Sequence, residues 1–183
     1  VGELVLIGRK KADLALLQEE LSPKGLVTID TDSHAVLPTL DALVTVTSAI
    51  DSVIEPEDLK TGAIVCDVAR PRDVSKKVAE VRDDVLVFEG GAVEIPGKDA
   101  DFHFNFGFPP KTSYACMAET MILALEKRYE NYSLGRDLDV NKVYEMIELA
   151  KKHGFKLAGL RSFEKTVSEE DIYKIREIIA KKK

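Results

Sequence analysis

The sequence has no tryptophan and only two cysteines among 183 residues, and these, Cys66 and Cys116, lie far apart with no CxxC pair. That excludes a disulfide scaffold and a thiolate zinc site, expects no metal, and makes a reducing cytoplasm the simplest compartment. No run approaches the roughly 18 consecutive apolar residues of a membrane span. With 45% hydrophobic and 32% charged residues, the chain reads as soluble. A basic surface is missing too: the formal net charge is -6 and the cations are scattered, except in the Lys181 to Lys183 tail. Nucleic acid is therefore excluded as the expected partner. The opening residues lack a signal peptide's basic stretch, apolar stretch and small-residue cleavage site, and the sequence holds no internal repeat, no low-complexity tract and no GxGxxG turn. The opening Val1-Gly2-Glu3-Leu4 lacks an initiator methionine and reads as the start of a fragment.

What is present is a series of short, branched, apolar runs: Leu4 to Ile7, Leu26 to Ile29, Ala42 to Val46, Ala63 to Cys66 and Val85 to Phe88. Near-continuous hydrophobicity of this kind is what parallel strands covered on both faces require. Helical patterns separate some of them, in Ala12 to Leu21, where Leu14, Leu17 and Leu21 recur at helical spacing, and in Asp73 to Val81. The alternation predicts an α/β fold, a mostly parallel, doubly wound, Rossmann-like sheet that lacks its first strand and glycine-rich turn. After Gly90-Gly91 the pattern changes. Residues 96 to 111 carry four phenylalanines and Pro109-Pro110 and read as a packed loop. Helices are predicted at about 112–131, 140–153 and 168–182, the second ending at His153-Gly154 and the third opening on a Ser168-Glu169-Glu170-Asp171 capping box. The expected organisation is a partial nucleotide domain over 1–111 and a helical segment over 112–183 packing on it.

Leu4 to Ile7 runs into Gly8-Arg9-Lys10. An acidic residue at that strand end would hydrogen-bond a free ribose hydroxyl, whereas a guanidinium beside an ammonium suits the adenosine 2'-phosphate, so Arg9 and Lys10 point to NADPH. The plain alternative is a solvated helix start. Thr47 and Ser48 end another strand, where ligands of open α/β sheets bind, and leave room for a nicotinamide ribose; ordinary turn residues look the same.

Ser113-Tyr114-Ala115-Cys116-Met117-Ala118-Glu119-Thr120-Met121 is followed by Glu130-Asn131-Tyr132-Ser133-Leu134-Gly135-Arg136 and then Lys152-His153-Gly154-Phe155. In this order, and with Gly90-Gly91-Ala92-Val93-Glu94 upstream, these blocks resemble the C-terminal part of long-chain acyl-acyl-carrier-protein reductases. The resemblance runs from Leu4 to about Phe155. Ile64 to Val74 is similar more broadly to the NADPH domains of glutamyl-tRNA reductases and shikimate dehydrogenases. The resemblance implies an oxidoreductase that takes a fatty acyl group from acyl carrier protein or acyl-coenzyme A onto Cys116 and reduces the thioester intermediate to a fatty aldehyde with NADPH. The family's N-terminal acyl-binding region and its glycine-rich turn have no counterpart here, so the chain is expected to be catalytically incomplete. The helix after Leu157 has no functional account, and homo-oligomerisation is left open.

A nucleophile, a hydride donor and oxyanion donors are what thioester reduction needs. Thr112 or Ser113 is the expected cap after the double proline, placing Cys116 in the first helical turn or just beyond it, within reach of the positive end of the dipole, which suits nucleophilic sulfur. Cys66 sits in an apolar strand and reads as inert core. Glu119, one turn on, is a proton shuttle or an ordinary helix residue. His103 is a general acid or a packed loop histidine. The phenylalanines at 102, 104, 106 and 108 alternate as an acyl channel wall would, or as core; Met117 and Met121 read as core. Two other functions stay open: a shikimate- or quinate-dehydrogenase-like oxidoreductase with no covalent intermediate, and a degenerate nucleotide-binding or oligomerisation module.

Overall fold

A computed structural model gives the structure and describes residues 2–104, 107–135, 138–163 and 165–182. The fold is mixed α/β and divides into two compact units, residues 1–87 with 170–183, and residues 88–169.

In the first unit the apolar runs form strands as their branched side chains dictate. Strand β1 (Leu4–Ile7) is followed by helix α1 (Lys11–Leu21), β2 (Val27–Asp30), the short α2 (Ser33–Val36), β3 (Ala42–Thr45), β4 (Ile64–Asp67), α3 (Lys76–Val81) and β5 (Leu86–Glu89). β1 pairs parallel with β2, Leu4 opposite Val27, and β3 parallel with β4, Ala42 opposite Ile64. The strands fall into two sheets, β1-β2 and β3-β4-β5. The expected cover on both faces is not met: Leu4, Leu26, Val44 and Val46 are all exposed and no α1 residue is fully buried. Among the described residues β1 pairs only with β2 and β3 only with β4, so each has a strand partner on one side. Burial concentrates instead around Val65, Ile54, Val74 and Val78.

The second unit is antiparallel where the first is parallel. β6 (Ala92–Glu94) pairs with β7 (Thr112–Tyr114), which runs directly into α4 (Ala115–Leu125). Then come α5 (Val140–His153), β8 (Lys156–Leu157), also paired with β6, and a small hairpin of β9 (Arg161–Ser162) and β10 (Lys165–Thr166). Asp139 caps α5 by accepting from the Asn141 amide at 2.9 Å, and Gly154 ends it in the left-handed region at φ 80°, a conformation glycine reaches without a Cβ penalty. Ile95, Ala118, Ile122 and Phe155 make its buried core, with Val93, Met121 and Met146 packed against it. Each fully buried large apolar side chain there stabilises by about 1.5–3 kcal/mol.

Helix α6 (Glu169–Ala180) returns to the first unit. Ile175 is buried, and a Cβ added to Gly62 would meet Ile179 at 3.2 Å. The division thus falls at Val87, inside β5, whereas the sequence placed a boundary after Lys111; β6–β7 pairing ties residues 92–94 to 112–114 and moves the intervening loop into the second unit. No helix of the described residues is long and apolar enough to cross a membrane.

Candidate active site

Cys116 owes its position to β7. Antiparallel pairing with β6 holds Thr112 and Ser113 extended and buried, so neither caps the helix; the N-cap is Tyr114, with no side-chain bond to the first turn. The Ala115 amide donates to the Gly91 carbonyl at 2.8 Å. Cys116 is then the second helical residue and its thiol is exposed. Helical spacing explains that exposure: Ala118 and Ile122 turn inward to the core, which leaves Cys116, Glu119 and Thr120, spaced three and four apart, to share another face. Cys66 is less exposed, and burial, with Asp67 beside it, pushes its thiol pKa up.

The Glu119 carboxylate accepts from the Ser133 hydroxyl at 2.6 Å, bringing together two stretches of the sequence resemblance. Between them lies a cluster the sequence alone did not single out. Tyr132 is buried; its hydroxyl donates to Glu145 at 2.5 Å and its ring carries the Arg128 guanidinium at 4.9 Å and the Lys142 ammonium at 5.0 Å. Burial first, and then the Glu145 carboxylate, push the Tyr132 phenol up to about 12. At the other end of α4, Glu126 accepts from Lys152 at 2.6 Å and contacts the His153 ring, and both partners hold its carboxyl below the usual range. Three quoted stretches thus meet around α4. Arg136 and Phe106 lie outside the described residues.

His103 does not join Cys116 and Glu119, which line a common groove. It sits in the left-handed region at φ 53°, its amide bonded to Asp101 at 2.8 Å and its ring largely exposed 3.4 Å from the same carboxylate. With Phe102, Phe104 and Phe108 it lines a separate cavity of about 660 Å³. The phenylalanines do not form one extended face: Phe102 packs on the core, Phe104 is exposed, and Phe108 meets the Tyr114 ring edge-on at 4.7 Å. Left-handed backbone at His103 and Gly107 interrupts the extended run that the alternation suggested.

Arg9, Lys10, Thr47 and Ser48 all belong to the first unit, at the carboxyl ends of β1 and β3. Arg9 and Lys10 are exposed, Lys10 lying 3.9 Å from Asp13. Thr47 is committed on two sides: its hydroxyl donates to Asp73 at 2.5 Å and accepts from the Ala49 amide at 3.1 Å. Asp73 is fully buried and organises this loop. Its carboxylate also accepts from the Thr45 hydroxyl and from the Thr47 amide at 3.0 Å, while its carbonyl accepts from the Val53 and Ile54 amides at 2.8 and 3.0 Å. One residue therefore holds both ends of the stretch 46–52. Asp67, equally buried, accepts from the amides of Ala69 and Val74 at 3.0 Å; burial raises its carboxyl against those bonds. The Asp67 to Asp73 spacing within Ile64 to Val74 was the available signal for this framework.

No protein-family model matches the chain. It is 34% identical over 175 residues to Aminotransferase PigE of a Serratia species, an alignment that takes in 92% of this chain and 20% of that protein. It is 31% identical over 166 residues to the long-chain acyl-acyl-carrier-protein reductase of Synechococcus elongatus, covering 87% of this chain and 47% of that protein. The chain spans about half the length of one curated relative and a fifth of the other. It is thus similar to a segment of each of two enzymes, one named a reductase and the other an aminotransferase.

Proposed function

We propose that this chain takes part in the NADPH-dependent reduction of a fatty acyl thioester to an aldehyde, with Cys116 accepting the acyl group from acyl carrier protein or acyl-coenzyme A. The observation that carries the reading is the exposed thiol at the second position of α4, on a face shared with Glu119. Similarity to the Synechococcus reductase supports it. The Cys116 sulfur attacks the thioester carbonyl, the new carbon–sulfur bond replaces the one to the carrier, and the carrier leaves as its thiol. The Ala115 amide is committed to Gly91, so the next amides of the first turn of α4, those of Cys116 and Met117, are the donors for the oxyanion. Glu119, bonded to Ser133, holds or relays a proton beside that centre.

The first unit supplies the nucleotide reading. Placing β1 and β2 second and third, and β3, β4 and β5 fourth to sixth, in the Rossmann order 3-2-1-4-5-6 puts the vacant first position between β1 and β3. Those are strands paired on one side only among the described residues. The residues fit a phosphorylated nucleotide: Arg9 and Lys10 offer exposed cations beyond β1. A Cβ at Gly8 would meet Leu14 at 3.2 Å, so α1 packs close to that strand end. Arg9 and Lys10 would hold the 2'-phosphate, and the 46–52 loop, through Ser48 and the Asp73-bound Thr47, would face the nicotinamide ribose. Bound NADPH would supply the hydride.

Intact-protein mass spectrometry of the full-length protein after incubation with acyl-coenzyme A tests the reading. An acyl adduct is expected on the protein and not on Cys116→Ser, with aldehyde formation falling at least about 1,000-fold in the variant. No adduct, or unchanged aldehyde formation in Cys116→Ser, overturns the covalent role and favours an oxidoreductase without an acyl-enzyme.

A further inference from the structure

The loop after α4 is fixed to α5 through one residue, Tyr132. Its hydroxyl donates to Glu145 of α5 at 2.5 Å, and its carbonyl accepts from the Lys142 ammonium at 3.2 Å. Arg128 donates to the same Glu145 at 2.6 Å and to Glu130 at 2.8 Å while covering the Tyr132 ring. With its phenol pushed up to about 12, Tyr132 remains a neutral donor across the neutral pH range. The ring is buried, so the loop leaves α5 only by exposing it and breaking these bonds. Ser133 follows directly, and its exposed hydroxyl donates to the half-buried Glu119 carboxylate at 2.6 Å. A bond between two free surface side chains gains little, because ordering both offsets it. Here the backbone of one partner is already ordered by its neighbour, so the cost falls mainly on Glu119.

We propose that Ser133, carried on the loop that Tyr132 stakes to α5, is a positioning residue that holds the Glu119 carboxylate on the Cys116 face of α4. The inference rests on the thioester reading and adds to it the part that aims the proton carrier. In acyl transfer the Glu119 carboxylate takes the thiol proton as the Cys116 sulfur bonds to the acyl carbon. The bond from that carbon to the carrier sulfur then breaks, and the proton passes from Glu119 to the departing thiolate. The carboxylate ends as it began. One that swings away from the thiol serves neither transfer.

The test is the rate of Cys116 acylation by acyl-coenzyme A in the full-length protein, followed without NADPH by rapid quenching and intact-protein mass spectrometry. Glu119→Gln should slow acylation about 100-fold and Ser133→Ala about tenfold, whereas Ser133→Thr, which keeps the hydroxyl, should stay within about threefold of the unaltered rate. Ser133 is exposed, and a thermal midpoint within about 2 °C of the unaltered protein shows that Ser133→Ala folds. The decisive readout is the combination. Added to Glu119→Gln, Ser133→Ala should cost less than about twofold more, because its route to the chemistry runs through that carboxylate. Tyr132→Phe, which removes only the hydroxyl, should slow acylation and show the same dependence on Glu119. A loss that repeats in full in the Glu119→Gln background marks a merely structural role and overturns the inference. So does Ser133→Ala acylating at the unaltered rate, or Ser133→Thr as slow as Ser133→Ala. In each of these cases the Cys116 adduct still forms and the thioester reading stands. If the unaltered protein forms no adduct, that reading and the inference fall together.

Discussion

The two units solve opposite problems with the same strand-and-helix vocabulary. In the first, Asp58, Asp67 and Asp73 are buried, and backbone amides and hydroxyls converge on them. In the second, the buried set among the described residues is apolar apart from the small Thr112 and Ser113 and the hydroxyl of Tyr132, and a thiol stands exposed at a helix start. A buried carboxylate stabilises a fold only when its lone pairs are filled, so it fixes the backbone that fills them. An apolar core fixes helices and leaves their outer faces free for chemistry. The first arrangement suits loops that must hold a bound molecule still; the second suits a side chain that must react.

The comparison breaks hardest at Asp73. Asp73→Ala strands the Thr45 hydroxyl and the Thr47 amide without their acceptor, and loss of buried bonds of this kind costs about 3 kcal/mol. Urea unfolding should show that loss, and hydrogen exchange should place the largest change at Val46 to Ile54. Unchanged exchange there would mean that the carboxylate does not organise the loop.

Next in size is a pH effect. Asp84 accepts from Arg82 at 2.6 and 3.0 Å, while the same guanidinium bonds the Leu59 carbonyl at 2.8 Å. The Arg82 bonds, opposed by burial and helped by Thr61, bring the Asp84 carboxyl down to about 2. A carboxyl whose folded pKa lies below its unfolded value of about 3.9 stabilises fully above that value, and the contribution is lost as pH falls through about 2. The shift amounts to about 2 kcal/mol. Asp84→Asn should lower stability by about that much at pH 7 and flatten its decline between about pH 4 and pH 2, read from denaturant midpoints across that range.

A smaller effect separates the units by function. In the full-length protein, Arg9→Ala should raise the KM for NADPH about tenfold and leave kcat at saturating NADPH within about twofold, the signature of lost ground-state binding to one phosphate. A change in kcat with KM intact would move Arg9 out of the nucleotide site.

What the sequence disclosed follows the same division. Local patterns were legible: Leu4–Ile7 and Val140–His153 stand as read, because branched runs and a periodic helix with a glycine stop carry their own signals. Contacts between distant residues were not. Thr112 and Ser113 resemble helix caps until β6 pairs with them, and Asp73 resembles a helix start until its bonds to Thr45 and Thr47, 28 and 26 residues away, are seen. Of the candidate residues, Cys116 and Glu119 share a face because helical spacing dictates it; His103 lines another cavity because Asp101 and a left-handed backbone turn it aside.

The smallest effect expected is at Lys174, where the sequence offered no account of the last helix. Its ammonium lies 2.7 Å from Asp83, and that pairing holds the Asp83 carboxyl low, yet both side chains are largely in water. Solvent screens such a pair and ordering two free side chains offsets most of what remains. Helix α6 is held to the first unit by burial of Ile175 and by Ile179 against Gly62, neither of which depends on charge. Lys174→Ala should therefore move the thermal midpoint by no more than about 2 °C, and raising salt should reproduce the change in the unaltered protein. A larger, salt-sensitive drop would show that the helix is attached by charge, and that the first unit relies on ionic contacts at its surface as well as in its interior.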